Sequence, residues 1–305
     1  MTFAELKYVV PGIIVEGLTL LAGKPKGGKS WMMLHAAIAV ADHGVTLGEQ
    51  CEQGDVLYCA LEDNPRRLQS RAMRLLGPHQ PWPERLTFIC EMPRLASGGL
   101  DRIKAWIDAA EHPRLIIIDT LAMVRAPKRR DETSYDADYA AVLELRTLAS
   151  QRGVAIVVVH HLRKMEADDP FDTVSGTLGL TGAPDTILVL RRLTSGTVVL
   201  HGRGRDLIEI EKALTFNTET STWNVEGDAS EVRMSAERTA VFDAMNEIGA
   251  PASAADIAAV AKSKVPNVRR MLVRLTKDGM VERHERGMYQ IAEVSPLTNP
   301  EGTVQ

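Results

Sequence analysis

The sequence predicts an α/β fold with a mainly parallel sheet, followed by a smaller domain of different texture. Three observations carry this. From Val15 to about Val225, short runs rich in Val, Ile and Leu alternate with helical patterns, as in chains that wind strand–helix–strand. The runs are almost continuously apolar, which suits strands covered on both faces. After about Ser230 the strands give way to three short helical stretches and a ribbon.

In chain order, the expected strands are Leu18–Ala22, Asp55–Leu61, Leu86–Ile89, Leu115–Asp119, Ala155–His160, Asp185–Leu190 and Thr197–His201. Helices are expected over Ser30–His43, Pro65–Leu76, Gly99–His112 and Ser134–Arg152. Ile208–Phe216 and Thr222–Val225 read as a hairpin that closes one edge of the sheet. In the second domain, Ser235 is expected to cap a helix reaching Ile248, whose Val241, Met245 and Ile248 share one side. Helices over Ser253–Ala261 and Pro266–Asp278 follow, then a two-strand wing, Met280–Arg283 and Met288–Ile291. Three helices and a ribbon make a winged-helix arrangement, whose third helix usually enters a DNA major groove. The expected organisation is an α/β domain over 1–228, a winged-helix-like domain over 229–292, and a disordered polar tail over 293–305.

Composition sets limits. A chain of 305 residues with 45% hydrophobic and 25% charged residues is ordinary for a globular protein. No stretch approaches the roughly 20 apolar residues that cross a bilayer, and Met1–Lys7 lacks a signal-peptide pattern, so a cytoplasmic protein is expected. Cys51, Cys59 and Cys90 have no metal-type spacing and read as reduced thiols. A net charge of −4 excludes wholesale coating of nucleic acid, so any polyanion site must be a local patch.

The strongest motif is Gly23-Lys24-Pro25-Lys26-Gly27-Gly28-Lys29-Ser30, a complete G-x4-G-K-S loop between an expected strand and an expected helix that opens at Trp31. That setting makes it a nucleoside triphosphate site. Glycines let backbone N–H groups turn inward around phosphates, and the helix N-terminus adds its positive dipole end. Lys29 can reach the β- and γ-phosphates, and the Ser30 hydroxyl is placed to ligate Mg²⁺. Arg114 to Asp119 is an apolar strand ending in an acid, and Asp119 can hold Mg²⁺ through water. The strand from Asp55 ends in Glu62-Asp63; hydrolysis needs a carboxylate to polarise water, with Glu62 the first candidate and Asp63 its substitute. The strand Ile156–Val159 runs into His160-His161, which point to opposite faces, so that one of them is placed to contact the γ-phosphate. Arg203 and Arg205, in a glycine-flanked turn, are alternative arginine fingers for the site of a neighbouring subunit.

Two loops are longer than simple connections require. One, Val124–Asp138, carries Lys128, Arg129 and Arg130; the other, Arg163–Gly182, carries Arg163 and Lys164. These basic residues are candidates for tracking single-stranded DNA, with Tyr135, Tyr139 and Phe171 the aromatics at hand for stacking. In the second domain Arg269, Arg270 and Arg274 are candidates for duplex DNA contacts.

The ordered set Gly23–Ser30, Ala60-Leu61-Glu62-Asp63, Ile116-Ile117-Ile118-Asp119-Thr120, Val158-Val159-His160-His161, Ser175-Gly176-Thr177, Thr181-Gly182-Ala183-Pro184-Asp185, Gly204-Arg205-Asp206 and Trp223 resembles the RecA-like ATPases. The likeness covers roughly residues 12–226 and is closest to the plasmid RepA-type replicative helicases. It implies a RecA-like P-loop core in which Lys29 and Ser30 bind phosphate and Mg²⁺, Glu62 activates water, Asp119 supports Mg²⁺ and His161 senses the γ-phosphate. It also implies a hexameric ring with single-stranded DNA in its channel. The first functional expectation is therefore a DNA-dependent ATP-hydrolysing motor, a replicative helicase of a plasmid, phage or mobile element. The second is an ATP-switched DNA-binding regulator or helicase loader. A small-molecule kinase on the same core is a third class, for which no acceptor pocket is legible.

Overall fold

The computed structural model describes residues 5–77, 80–126, 134–162, 167–174, 179–193, 195–285 and 287–292, with the backbone alone at 134–138 and 179. The chain forms two compact units, Met1–Ala229 and Ser230–Gln305.

The first unit is built on a nine-stranded sheet. Its strands are β1 (Gly17–Gly23), β2 (Asp55–Ala60), β3 (Leu86–Ile89), β4 (Pro113–Asp119), β5 (Ala155–His161), β6 (Thr186–Arg192), β7 (Val198–Gly204), β8 (Ile210–Asn217) and β9 (Thr222–Asp228). In space they run β9-β8-β7-β6-β1-β5-β4-β2-β3. From β6 to β3 every pairing is parallel; β7, β8 and β9 extend the sheet antiparallel from the other side of β6. The chain leaves β1 and enters the sheet again at β2, beyond β5 and β4, and later returns through β6 on the opposite side of β1. That reversal opens a crevice at the carboxyl ends of the central strands, where ligands of such sheets bind.

Helices α1 (Lys29–Ala41), α2 (Pro65–Leu76), α3 (Gly99–Ala109) and α4 (Ser134–Arg152) connect the parallel strands. Alternation along the strands sorts the core into two layers. Leu21, Val56, Tyr58 and Ile117 pack with Met33, Ala37 and Leu68 of α1 and α2 on one face. Leu20, Leu57, Ile116 and Val158 pack with Ile103, Val142 and Leu145 of α3 and α4 on the other. Cys59 is fully buried in the second layer, and burial pushes its thiol up to about 12. Two short ribbons, Tyr8–Val10 with Ile14–Val15 and Val45–Thr46 with Glu49–Gln50, carry no motif legible in the sequence.

The second unit contains α5 (Ala229–Ile248), β10 (Ala252–Ser253), α6 (Ala254–Val260), α7 (Val265–Lys277), β11 (Val281–Arg283) and β12 (Met288–Ile291). Two expectations are corrected here. Ser235 lies inside α5 and caps nothing, because the helix begins at Ala229. The expected two-strand wing is a three-stranded antiparallel sheet in the order β10-β12-β11, since the chain between α5 and α6 is extended and pairs Ala252 with Tyr289. Ser253 caps α6: its Oγ accepts from Asp256 N at 3.3 Å, while the Asp256 carboxylate accepts from Ser253 N at 3.2 Å. Val241, Met245, Ile257, Val268, Leu272 and Leu275 form this unit's core. Among the described residues, no helix is long and apolar enough to cross a membrane.

Candidate functional site: a phosphate-loop cleft at the carboxyl edge of the sheet

β1 ends at Gly23 and α1 begins at Lys29, so Lys24–Gly28 is a tight loop between a buried strand and a buried helix. Gly27 N donates to Lys24 O at 3.2 Å, and Gly28 turns the chain into the helix at φ +90°, where a Cβ is strained. Lys29 is 3% exposed. Its ammonium donates to Gly23 O at 2.7 Å and Lys24 O at 2.9 Å, and Nδ1 of His161 stands at 3.2 Å. Desolvation pulls its pKa down to about 8, against the attraction of Asp119 and Glu62.

An ammonium only donates, so His161 Nδ1 accepts and the ring proton sits on Nε2. Nε2 then faces Glu62 Oε2 at 3.4 Å, while Thr120 Oγ donates to Glu62 Oε1 at 2.9 Å. Lys29, His161, Glu62 and Thr120 thus form one chain of contacts drawn from the start of α1 and the ends of β5, β2 and β4. Of the two adjacent histidines, His161 joins this chain.

Asp119 ends β4 and is 5% exposed. Its Oδ2 accepts from the Tyr58 phenol at 3.1 Å, and Tyr58 in turn lies 3.4 Å from Ser30 O. Among the described residues, its Oδ1 is buried without a hydrogen-bond partner. Desolvation raises the Asp119 pKa, opposed by the Ser30 and Tyr58 hydroxyls. A buried, unsatisfied carboxylate oxygen beside a serine hydroxyl is a donor set that fits Mg²⁺, which takes oxygen ligands and keeps several waters.

The neighbouring acid behaves differently. Asp63 is ion-paired to Arg67 at 3.2 Å and to Arg71, and its side chain is only 11% exposed. Arg71 also stacks over Trp31, 4.6 Å from the ring centroid. Asn64, not an acid, caps α2 through Arg67 N at 2.9 Å. The Asp63 carboxylate is therefore committed to structure, while Glu62 keeps one edge open to the cleft.

The cleft measures about 1190 Å³ and is lined by Lys24–Trp31, Glu62, Asp63, Arg67, Arg71, Asp119 and His161, with Arg191, Arg192, Phe216 and Trp223 along the antiparallel side. Among the described residues, seven Lys and Arg side chains face three Asp and Glu, a local excess of positive charge on a chain of net −4. Tyr58, Arg67 and Arg71 were not legible as site residues in the sequence, and Thr120 is read only as the residue after Asp119, with no role of its own. Tyr58 falls inside a strand run that reads as core, and the two arginines have no motif spacing of their own.

The arginines after β6 are also relocated. Arg203 is inside β7, not on a turn; its guanidinium donates to Glu209 at 2.9 Å and Asp169 at 3.3 Å and lies 4.2 Å over the Phe171 ring. The strand reaches Gly204 because it pairs with β6 through Thr186. Arg205 follows the strand and pairs with Asp185 at 3.2 Å. Phe171 is 6% exposed beneath Arg203, in the short helix Pro170–Thr173 that Asp169 caps, so it is no stacking platform. Lys128, Arg129, Arg130, Arg163 and Lys164 lie outside the described residues, as do Ser175-Gly176-Thr177.

In the second unit, Arg269, Arg270 and Arg274 of α7 line a groove of about 1020 Å³ together with Arg233, Met234 and Glu237 of α5. Arg270 bonds Asn267 at 2.6 Å, and Val273 on the same helix is 55% exposed.

Fold and site together define a RecA-like P-loop ATPase domain. Residues 2–167 match the family described as AAA domain, more than half of the chain, and the chain belongs to that family. Residues 229–298 match the family described as O-methyltransferase dimerisation domain. The DNA repair protein RadA of Salmonella typhimurium is 29% identical over 167 residues, covering 53% of this chain and 31% of RadA; RadA of Escherichia coli matches to the same extent. The matched segment thus spans about a third of these relatives. Among solved structures, one ATPase domain superposes with a TM-score of 0.56 at 13% identity, over 68% of this chain and 84% of that one. A DnaB-like replicative helicase, solved in a study of its interactions with primase, gives 0.55 at 14% identity, over 72% and 58%. At those identities the likeness establishes the fold.

Proposed function

We propose that this chain is a DNA-dependent ATPase motor of the replicative-helicase type, with the RepA-type helicases of plasmids, phages and mobile elements as its nearest functional class. The observation that carries the reading is the chain of contacts from Lys29 through His161 to Glu62 and Thr120, beside the unsatisfied Asp119 oxygen. Lys29 binds the β- and γ-phosphates, and Glu62 orients and deprotonates the attacking water. His161, touching both Lys29 and Glu62, changes its contacts when the γ-phosphate leaves and passes that change to the chain after β5. Ser30 and Asp119 are the residues that would hold Mg²⁺, which would supply neutralisation of phosphate charge.

Of the two arginines, Arg205 is the better finger for a neighbouring site in a hexameric ring. Asp185, its ion-pair partner, also accepts from Arg146 at 2.8 Å and from Leu18 N at 3.0 Å, so it stays satisfied if Arg205 swings away. Arg203 would abandon two carboxylates and a ring. Single-stranded DNA is assigned to the central loops. The test is ATP turnover with and without single-stranded DNA, beside solution mass: stimulation in an oligomer supports the motor, and DNA-independent turnover by a monomer refutes it.

The second unit admits two readings. Its helix–strand–helix–helix–strand–strand order and the arginines of α7 support a winged helix that binds duplex DNA. The match to a dimerisation domain supports self-association instead. In the second reading the chain is an ATP-switched regulator or loader, and deleting the unit would lower its solution mass rather than its affinity for duplex DNA.

A further inference from the structure

Trp223, on β9, meets the phosphate loop from 195 residues away in the chain. Its indole N–H donates to Gly28 O at 3.1 Å, and the side chain is 4% exposed. The same carbonyl accepts from Met32 N at 3.0 Å, the opening bond of α1. A trans peptide is planar, so its C=O and N–H point in opposite directions. Holding Gly28 C=O between Trp223 and α1 therefore aims the Lys29 N–H out of the helix and into the loop, where phosphate is bound.

The ring also closes the loop sterically. A Cβ at Gly28 would come within 2.5 Å of Trp223 Cζ2, so the N–H-bearing edge of the indole packs directly against the glycine. Trp223 is itself held in place: its ring centroid lies 5.0 Å from that of Phe216, and Arg74 of α2 donates to Thr218 O at 2.5 Å, pinning the turn between β8 and β9. We propose that Trp223 is a positioning residue for polyphosphate: its N–H fixes the Gly28–Lys29 peptide so that the Lys29 amide is aimed at the phosphates before they arrive. No sequence motif predicts this, because the pair is joined only by the sheet.

The proposal rests on the cleft being the ATP site, and the experiment separates the two. ATP kinetics and inhibition by inorganic tripolyphosphate are measured on the full chain and on its Trp223→Phe and Lys29→Ala variants. Trp223→Phe keeps an aromatic ring and loses the donor. It should raise the ATP KM and the tripolyphosphate Ki by the same factor, about three- to tenfold, with kcat changed less than about twofold. A raised KM with an unchanged Ki would mean that Trp223 acts on the base and would overturn the proposal, as would two unchanged constants. If Lys29→Ala leaves ATP binding intact, the site assignment fails; if Lys29→Ala abolishes it while Trp223→Phe is neutral, only Trp223 is misassigned. Hydrogen exchange on the unaltered chain gives a reading independent of any variant's folding. Tripolyphosphate should protect both the loop and the segment around Trp223, and protection confined to the loop would refute the coupling.

Discussion

Glu62 and Asp63 are adjacent carboxylates at the end of one strand, yet the fold gives them opposite tasks. Asp63 is folded back onto Arg67 and Arg71 and is nearly buried; Glu62 is held at one oxygen by Thr120, faces His161 with the other, and stays half exposed. The contrast extends to the two basic regions. The cleft places its cations against carbonyls, carboxylates and rings drawn from many strands. Among the described residues, the groove between α5 and α7 gathers four arginines against the single carboxylate of Glu237. A chemical site shows as converging, partnered groups, whereas a docking surface shows as charge kept at the surface.

The sharpest way to break this contrast is Lys29→Ala. It should lower ATP turnover by at least about a hundredfold, because the charge that organises the phosphates is lost. The melting temperature should hold or rise, since a lysine whose pKa is pulled down to about 8 is paying desolvation in the fold. A variant that unfolds would show that Lys29 is mainly structural. Glu62→Gln should cut kcat by about the same hundredfold or more while ATP binding persists. Asp63→Asn should instead cost stability, about 3 kcal/mol, for leaving Arg71 partly buried without its charge partner. Melting curves and single-turnover assays on both variants decide the matter; interchanged phenotypes would reverse the two assignments.

How much of this was legible follows from how each feature is encoded. The phosphate loop, the β4 acid and the β5 histidines are read because local spacing sets them at strand ends, and strand ends share one edge of the sheet. Tyr58 and Trp223 were not assigned roles, since their partners, Asp119 and Gly28, are reached only through strand order. Ser235 misled because a serine before an apolar stripe resembles a cap, while Ala229, Glu231, Arg233 and Met234 before it are good helix formers. Arg203 misled because flanking glycines suggest a turn. Here Gly202 and Gly204 serve packing instead: a Cβ would meet Ile210 at 2.6 Å in one case and Thr186 Oγ at 2.6 Å in the other.

A smaller effect is the pH dependence of nucleotide binding. Lys29 in the nucleotide-free fold loses its proton near pH 8, while in the unfolded chain it does so near 10.5. Between those values the unfolded state binds more protons, so this group's contribution to stability rises with pH in that window. Binding behaves oppositely: polyphosphate favours charged Lys29, so ATP binding above about pH 8 should take up a proton and weaken as pH rises. Calorimetry in buffers of different ionisation enthalpy measures the uptake directly. Zero uptake at about half a pH unit above that value would mean that Lys29 does not titrate with the phosphates.

The smallest expected effect tests the other side of the comparison. Arg270 and Arg274 are one helical turn apart on α7, and both line the groove beside Arg269 and Arg233. If they meet a phosphate backbone, each contributes a counterion-release contact that carries no sequence information. The full chain with Arg270→Ala and Arg274→Ala should then bind duplex DNA more weakly by roughly the same factor on every sequence. Its slope of log affinity against log salt should fall in magnitude by about 2. ATP turnover without DNA should be unchanged, because neither residue lines the cleft. An unchanged salt slope together with a lower solution mass would move these arginines to a self-association surface. In that case charge kept at the surface would mark a contact between copies of the chain rather than with nucleic acid.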